Sequence, residues 1–85
     1  MPGTPDVEVH LFAAARVAAG SSLLRASPGT LGEVIEQLVV MAPGLAQVLP
    51  RCSYLQDGVA ARPSNLGAQI AAGSRLDVLP PFAGG

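Results

Sequence analysis

Few side chains in this 85-residue chain are equipped for chemistry, and those few do not gather. His10 is the one histidine and Cys52 the one cysteine, so neither an internal disulfide nor a paired-cysteine metal site can be built. The acids Asp6, Glu8, Glu33, Glu36, Asp57 and Asp77 are spread over separate elements, and no two of them can be argued into an acid/base dyad. There is no H-E-x-x-H, no G-x-S-x-G and no phosphate-binding glycine loop with lysine. His10 reads as a solvent-facing strand residue, and Cys52, opening a strand that enters the core, as a small buried apolar group rather than a nucleophile. No side chain is assigned a catalytic role and none a metal.

The one stretch with chemical promise is the ending, Gly84-Gly85. A terminal carboxylate with no Cβ on either of the last two residues can enter a narrow channel. Extended, Pro80 to Gly85 spans roughly 20 Å at about 3.3 Å per residue, enough to reach a partner's recessed active site. The proline pair limits the entropy lost when such a tail is ordered, and Phe82 can fill an apolar pocket beside the channel. From the glycines alone, a flexible end or a truncation reads equally well.

What must position this tail is one small domain. Eighty-five residues bury roughly 60% of the unfolded chain's surface around a single core. A composition 49% hydrophobic and 13% charged is too apolar for a disordered chain and leaves apolar surface for a partner. Net charge is −1, and Arg16, Arg25, Arg51, Arg62 and Arg75 stand singly, so there is no basic stripe for nucleic acid. No lysine occurs. No basic, apolar leader opens the chain and no apolar run approaches the roughly 18 residues of a membrane span, which with the single cysteine points to the cytoplasm.

Along the chain, Val7, Val9, Leu11 and Ala13 alternate with Glu8, His10 and Phe12, predicting a half-buried strand from Val7 to Ala13. Ala14 to Gly20 reads as a loop around Arg16, leading to a second strand at Leu23 to Ala26 that pairs with the first. Thr30-Leu31-Gly32-Glu33 has capping-box spacing and starts a helix whose stripe is Leu31, Val34, Ile35, Leu38, Met41 and Ala42. Pro43-Gly44 ends it, and Leu45 to Leu49 forms a short turn of helix. Cys52 to Gln56 is a third strand, Asp57-Gly58 a hairpin turn, and Val59 to Arg62 a fourth strand. A connection from Pro63 to Gly73, anchored by Leu66 and Ile70, reaches a last strand at Arg75 to Leu79. One amphipathic helix and about five strands bury their faces by laying the helix across a mixed sheet. This is an α+β, β-grasp arrangement over residues 1–79, with first and last strands parallel and adjacent at its centre, and a protruding tail over 80–85.

The run Leu79-Pro80-Pro81-Phe82-Ala83-Gly84-Gly85 resembles the ending of the small subunit of molybdopterin synthase, a ubiquitin-like sulfur carrier of the MoaD/ThiS type. Val9-His10-Leu11-Phe12-Ala13-Ala14-Ala15-Arg16, followed by Gly20, is similar to that family's first strand and arginine-containing turn. Thr30 to Val34 resembles its helix start, and Asp57-Gly58 stands where the family often has asparagine-glycine. The resemblance implies a protein that acts as a reagent. An E1-like adenylyltransferase using ATP and magnesium would adenylate the Gly85 carboxylate. A sulfur donor such as a cysteine desulfurase or rhodanese-type protein would turn it into a thiocarboxylate, and the tail would deliver sulfur to a pterin precursor on the large synthase subunit. ATP, magnesium and catalytic side chains then belong to partners, and the chain binds no cofactor itself. Carried over by position, Gly85 bears the sulfur, and Pro80, Pro81, Phe82, Ala83 and Gly84 are the stretch that partners hold. Phe12 matches an interface position or packs against the helix; Arg16 matches another or is a solvated turn charge. Other sulfur-carrier branches serving thiazole, cysteine or a specialised metabolite share this chemistry, and a protein-modifying or interaction module is the alternative of a different class. Without lysines, a chain with an activated terminus cannot acylate a lysine on its own kind.

Overall fold

The structure, a computed structural model, describes residues 6–61 and 66–81. Strand β1 is Val7–Leu11, with a burial alternation that puts Val7, Val9 and Leu11 wholly in the core. It ends two residues short of the expected Ala13, because Ala13 takes a positive φ of 51° and turns the chain sharply out of the sheet.

The segment expected to be a loop is a short helix, α1, at Ala13–Ala19. Alanine has the highest helix propensity, and Gly20 closes the helix in the left-handed conformation while donating its N–H to the carbonyls of Arg16 and Val17. Arg16 therefore sits on a helix and not in a turn. Strand β2, Leu23–Ala26, pairs antiparallel with β1 as expected.

The capping box forms as the sequence predicts. Thr30 Oγ1 accepts from the Glu33 N–H at 3.1 Å, and Glu33 Oε1 accepts from the Thr30 N–H at 2.8 Å. Helix α2, Leu31–Met41, lays Leu31, Val34 and Leu38 into the core. Met41, placed on the same stripe by its spacing, is 46% exposed, since the helix ends there and Ala42 and Leu45 close the core in its place. The next residues form two 3-10 turns, Pro43–Gln47 and Leu49–Arg51, where one short helical turn was expected.

Strand β4 is Ser53–Gln56 and β5 is Val59–Ala61. Asp57 and Gly58, both at positive φ, make the tight hairpin turn that matches strand twist. The Asp57 carboxylate also accepts from the Arg75 N–H at 2.8 Å, tying that turn to the start of β7, Arg75–Leu79. The expected strand start at Cys52 moves to Ser53, because Cys52 still caps the second 3-10 turn.

A second sheet was not anticipated: β3, Gly29–Thr30, pairs with β6, Gln69–Ile70. It lies where α2 begins, and the carbonyls of Ala68 and Leu66 accept from the N–H groups of Leu31 and Gly32, which no helical carbonyl could reach. Ile70 is buried as expected, whereas Leu66 is half exposed and holds its segment by backbone rather than side chain.

The main sheet runs β2-β1-β7-β4-β5. Strand β7 lies at its centre, parallel to β1 and antiparallel to β4, which is the predicted mixed β-grasp sheet with the main helix α2 across one face. The last residue of the predicted fourth strand, Arg62, and the beginning of the connection lie outside the described residues. No described helix is long and apolar enough to cross a membrane.

Candidate functional site

Strand β7 is held on both edges through Val78 and on the β4 edge at its last residue, Leu79. Val78 pairs with Leu11 and Tyr54, its carbonyl accepts from the Phe12 N–H at 3.1 Å, and Leu79 stands opposite Ser53. Pro80 and Pro81 follow. With no N–H, neither proline can add a rung to the ladder. Nor is a neighbouring strand left to pair with: β1 has turned away into α1, and β4 begins only at Ser53. Local chemistry and topology thus release the chain from the sheet at the same residue.

Pro80 and Pro81 are exposed and form one wall of a groove of about 210 Å³. Its other walls come from Phe12, Ala14, Val48 and Arg51, with Cys52 also lining it. Three successive alanines, Ala13 to Ala15, make the hollow, because no larger side chain fills the space between α1 and the 3-10 turns. Phe12 is 40% exposed, so it presents its ring at this groove as well as starting α1.

Of the residues singled out from sequence, the structure brings Phe12, Pro80 and Pro81 to one place. Arg16 is exposed on α1, one residue past the alanines that line the groove. Phe82, Ala83, Gly84 and Gly85 lie outside the described residues. Arg51 and Val48 were not found from sequence, since their approach to the tail depends on the 3-10 turns ending beside β7. Nothing in the type or spacing of Val48 and Arg51 signals what they would face.

The nucleophilic side chains nearest the groove are sheltered. Cys52 is 7% exposed, its Sγ lies 3.3 Å from the Val48 carbonyl, and burial pushes its thiol up from the ordinary value of 9.0. Tyr54 donates its hydroxyl to the Leu49 carbonyl at 2.7 Å, and burial, aided by the nearby Cys52, pushes its ionisation far upward. His10, expected to face solvent, is partly buried, with Nε2 3.2 Å from Glu8 Oε1. Among the described residues no three His, Cys, Asp or Glu side chains gather to hold a metal.

The model of the ThiS family matches residues 9–85. The chain belongs to the ThiS family. These are small ubiquitin-like sulfur carriers and modifiers, and the match runs through the tail and the groove residues alike. No curated protein sequence matches significantly. Among solved structures, small archaeal modifier protein 1 from Haloferax volcanii is 31% identical to this ThiS-family chain, with a TM-score of 0.78 over 94% of this chain and 99% of that one. The same-named protein from Methanosarcina acetivorans is 25% identical, with a TM-score of 0.81 over 99% and 100%. Subunits 1 and 2 of the molybdopterin-converting factor of Helicobacter pylori, solved as a complex, include a chain that shares the fold at 22% identity and a TM-score of 0.67, over 94% and 99%. Relatives of the ThiS fold are therefore seen bound to partner subunits.

Proposed function

We propose that this chain is a sulfur carrier that works through the Gly85 carboxylate and supplies sulfur for molybdopterin synthesis. An E1-like enzyme joins that carboxylate to AMP from ATP, releasing pyrophosphate, with magnesium at the enzyme's own site; the persulfide of a desulfurase- or rhodanese-type donor then displaces AMP to form an acyl disulfide, and a second thiol cleaves that disulfide, leaving the thiocarboxylate on Gly85 and a disulfide on the donor side. Adenylation is needed because a free carboxylate is a poor electrophile and AMP a good leaving group. The loaded tail then enters the large subunit of molybdopterin synthase. A reducing, cytoplasmic setting suits a chain with one unpaired thiol.

The observation that carries the reading is the abrupt release of the chain at Pro80, beside the exposed Phe12, in a family match that includes Gly84-Gly85. The chain's own contribution is mechanical. Strand β7 fixes the origin of the tail, Pro80 and Pro81 aim it, and the absence of Cβ atoms on the last two residues lets the carboxylate pass into a narrow channel.

A second reading, attachment to other proteins through the same activated glycine, is favoured by the 31% identity to an archaeal modifier protein. Deleting Gly85, or adding one residue after it, separates the tail from the mount. Both variants should fold and melt as the parent does yet receive no sulfur; retained loading would refute the role given to the terminus. Reconstitution with a large synthase subunit and pterin precursor distinguishes the branches: product formation supports the molybdopterin role, and amide-linked conjugates without it support the modifier role.

A further inference from the structure

We propose that the side chains of Ser21 and Gln37 close the outer edge of β2, and so keep two copies of this chain from joining there into one continuous sheet. The inference is independent of the tail and of the reaction proposed for it.

The main sheet leaves β2 at its edge, paired on one side only, with β1. In an antiparallel pair the bonded residues alternate with residues whose backbone groups point away. The Leu11 N–H donates to the Ser22 carbonyl at 2.9 Å. With Val9 opposite Leu24 and Val7 opposite Ala26, that bond turns the backbone groups of Ser22, Leu24 and Ala26 toward β1. Leu23, Arg25 and Ser27 therefore direct their N–H and C=O groups outward. Such a row is a template for another strand, and the exposed Leu23 adds apolar surface to it.

Four of those six outward groups are already taken. The Ser21 hydroxyl accepts from the Leu23 N–H at 3.2 Å and donates to the Leu23 carbonyl at 2.8 Å. At the other end Gln37 reaches across from α2. Its Oε1 accepts from the Ser27 N–H at 2.7 Å, and its Nε2 donates to the Ser27 carbonyl at 3.0 Å. A side-chain amide thus makes the two bonds that a residue of a neighbouring strand would make. Pro28, with no N–H, ends the row.

Among the described residues, that leaves Arg25 as the one open rung. Any register that joins two of the three residues to a second copy must break the bonds of Leu23 or of Ser27. The register with Leu23 opposite Ser27 also sets Arg25 against Arg25 of the second copy, and like charges directly opposite repel. A second copy is refused by hydrogen bonding at both ends of the row and by charge in its middle.

The test compares self-association of the parent chain with that of the triple variant Ser21→Ala, Arg25→Thr, Gln37→Ala, by sedimentation velocity over a concentration series. The triple variant should dimerise at least about ten-fold more tightly than the parent, a conservative figure for releasing four backbone groups to pair. Arg25→Thr alone should behave as the parent does, since those four groups stay bonded. Gln37→Ala alone, which leaves β2 itself unchanged, should raise association by a smaller factor, and it carries the test if the triple variant does not fold. Isotope-filtered NMR on a mixture of labelled and unlabelled variant should show a contact between copies from the Leu24 Hα to the Ala26 Hα, the pair that an antiparallel β2–β2 ladder brings closest. No gain in association for the variants that fold, or a dimer lacking that contact, overturns the inference, as does a parent chain that already shows it. Sulfur loading of the dilute variants reports separately on the proposed function, because none of these substitutions touches the terminus.

Discussion

Val78→Ala separates the mount from the reagent. Val78 is fully buried at the centre of the sheet, between Leu11 and Tyr54, two residues before the tail leaves. The substitution removes two carbons at about 0.8 kcal/mol each. The cavity left in a packed core adds about 1 kcal/mol more, for a total of about 2–3 kcal/mol. In a domain of this size each kcal/mol shifts the melting temperature by roughly 4–8 °C, so the variant should melt roughly 10–20 °C below the parent by circular dichroism. The backbone bond from Phe12 to the Val78 carbonyl survives the change, and the terminus is untouched. At a temperature well below its melting point, the variant should therefore still be loaded with sulfur at saturating activating enzyme. A fall of less than about 5 °C would show that Val78 is not the packed centre described. A folded variant that cannot be loaded would show that the strand does more than hold the tail.

Thr30→Ala removes one arm of the capping box at the start of α2 and should cost about 1 kcal/mol, read as a reduced urea midpoint with unchanged sulfur loading; a neutral result would mean the Glu33 arm alone suffices. Alkaline pH should destabilise the fold. Cys52 and Tyr54 hold their protons more tightly folded than unfolded, so their contribution is complete below the ordinary values of 9.0 and 10.0 and is lost as pH rises through the folded ones. Melting temperature should be flat near neutrality and fall from about pH 9 upward, with Tyr54→Phe giving a shallower fall; a flat profile to about pH 11 contradicts the burial argument. Because the chain has no lysine, incubation with ATP and activating enzyme should yield no multimers linked from Gly85 to a side-chain amine, whereas Val17→Lys, at an exposed position on α1, supplies an acceptor. Peptide mapping that finds Gly85 joined to a side chain of the parent would refute this.

The strands and the main helix were legible because their signals are local and redundant. Alternation marks β1 and β7, Asp57-Gly58 marks the hairpin, and Thr30 with Glu33 marks the start of α2. Helix α1 was harder to read: seven residues with no side-chain cap at Phe12 and only Ala15 buried give almost no periodicity, although Gly20 in retrospect marks its end. The turn at Ala13 is set by packing, since alanine rarely adopts a positive φ and nothing in its type foretells one. The β3–β6 pair is two residues a side and exists because the start of α2 needs the carbonyls of Leu66 and Ala68. At the site, Pro80 and Pro81 announce themselves by type and order. Arg51 and Val48 come to the tail from roughly thirty residues upstream, and only the central place of β7 brings them there.

The central claim is that the Gly85 carboxylate is the working group. It is tested most directly by intact mass of the chain after incubation with ATP, an E1-like enzyme and a sulfur donor. The account predicts the exchange of one oxygen for one sulfur, mapped to Gly85 and absent when ATP is withheld. An unchanged mass with every cognate activating enzyme, or sulfur found on Cys52 instead, would contradict it.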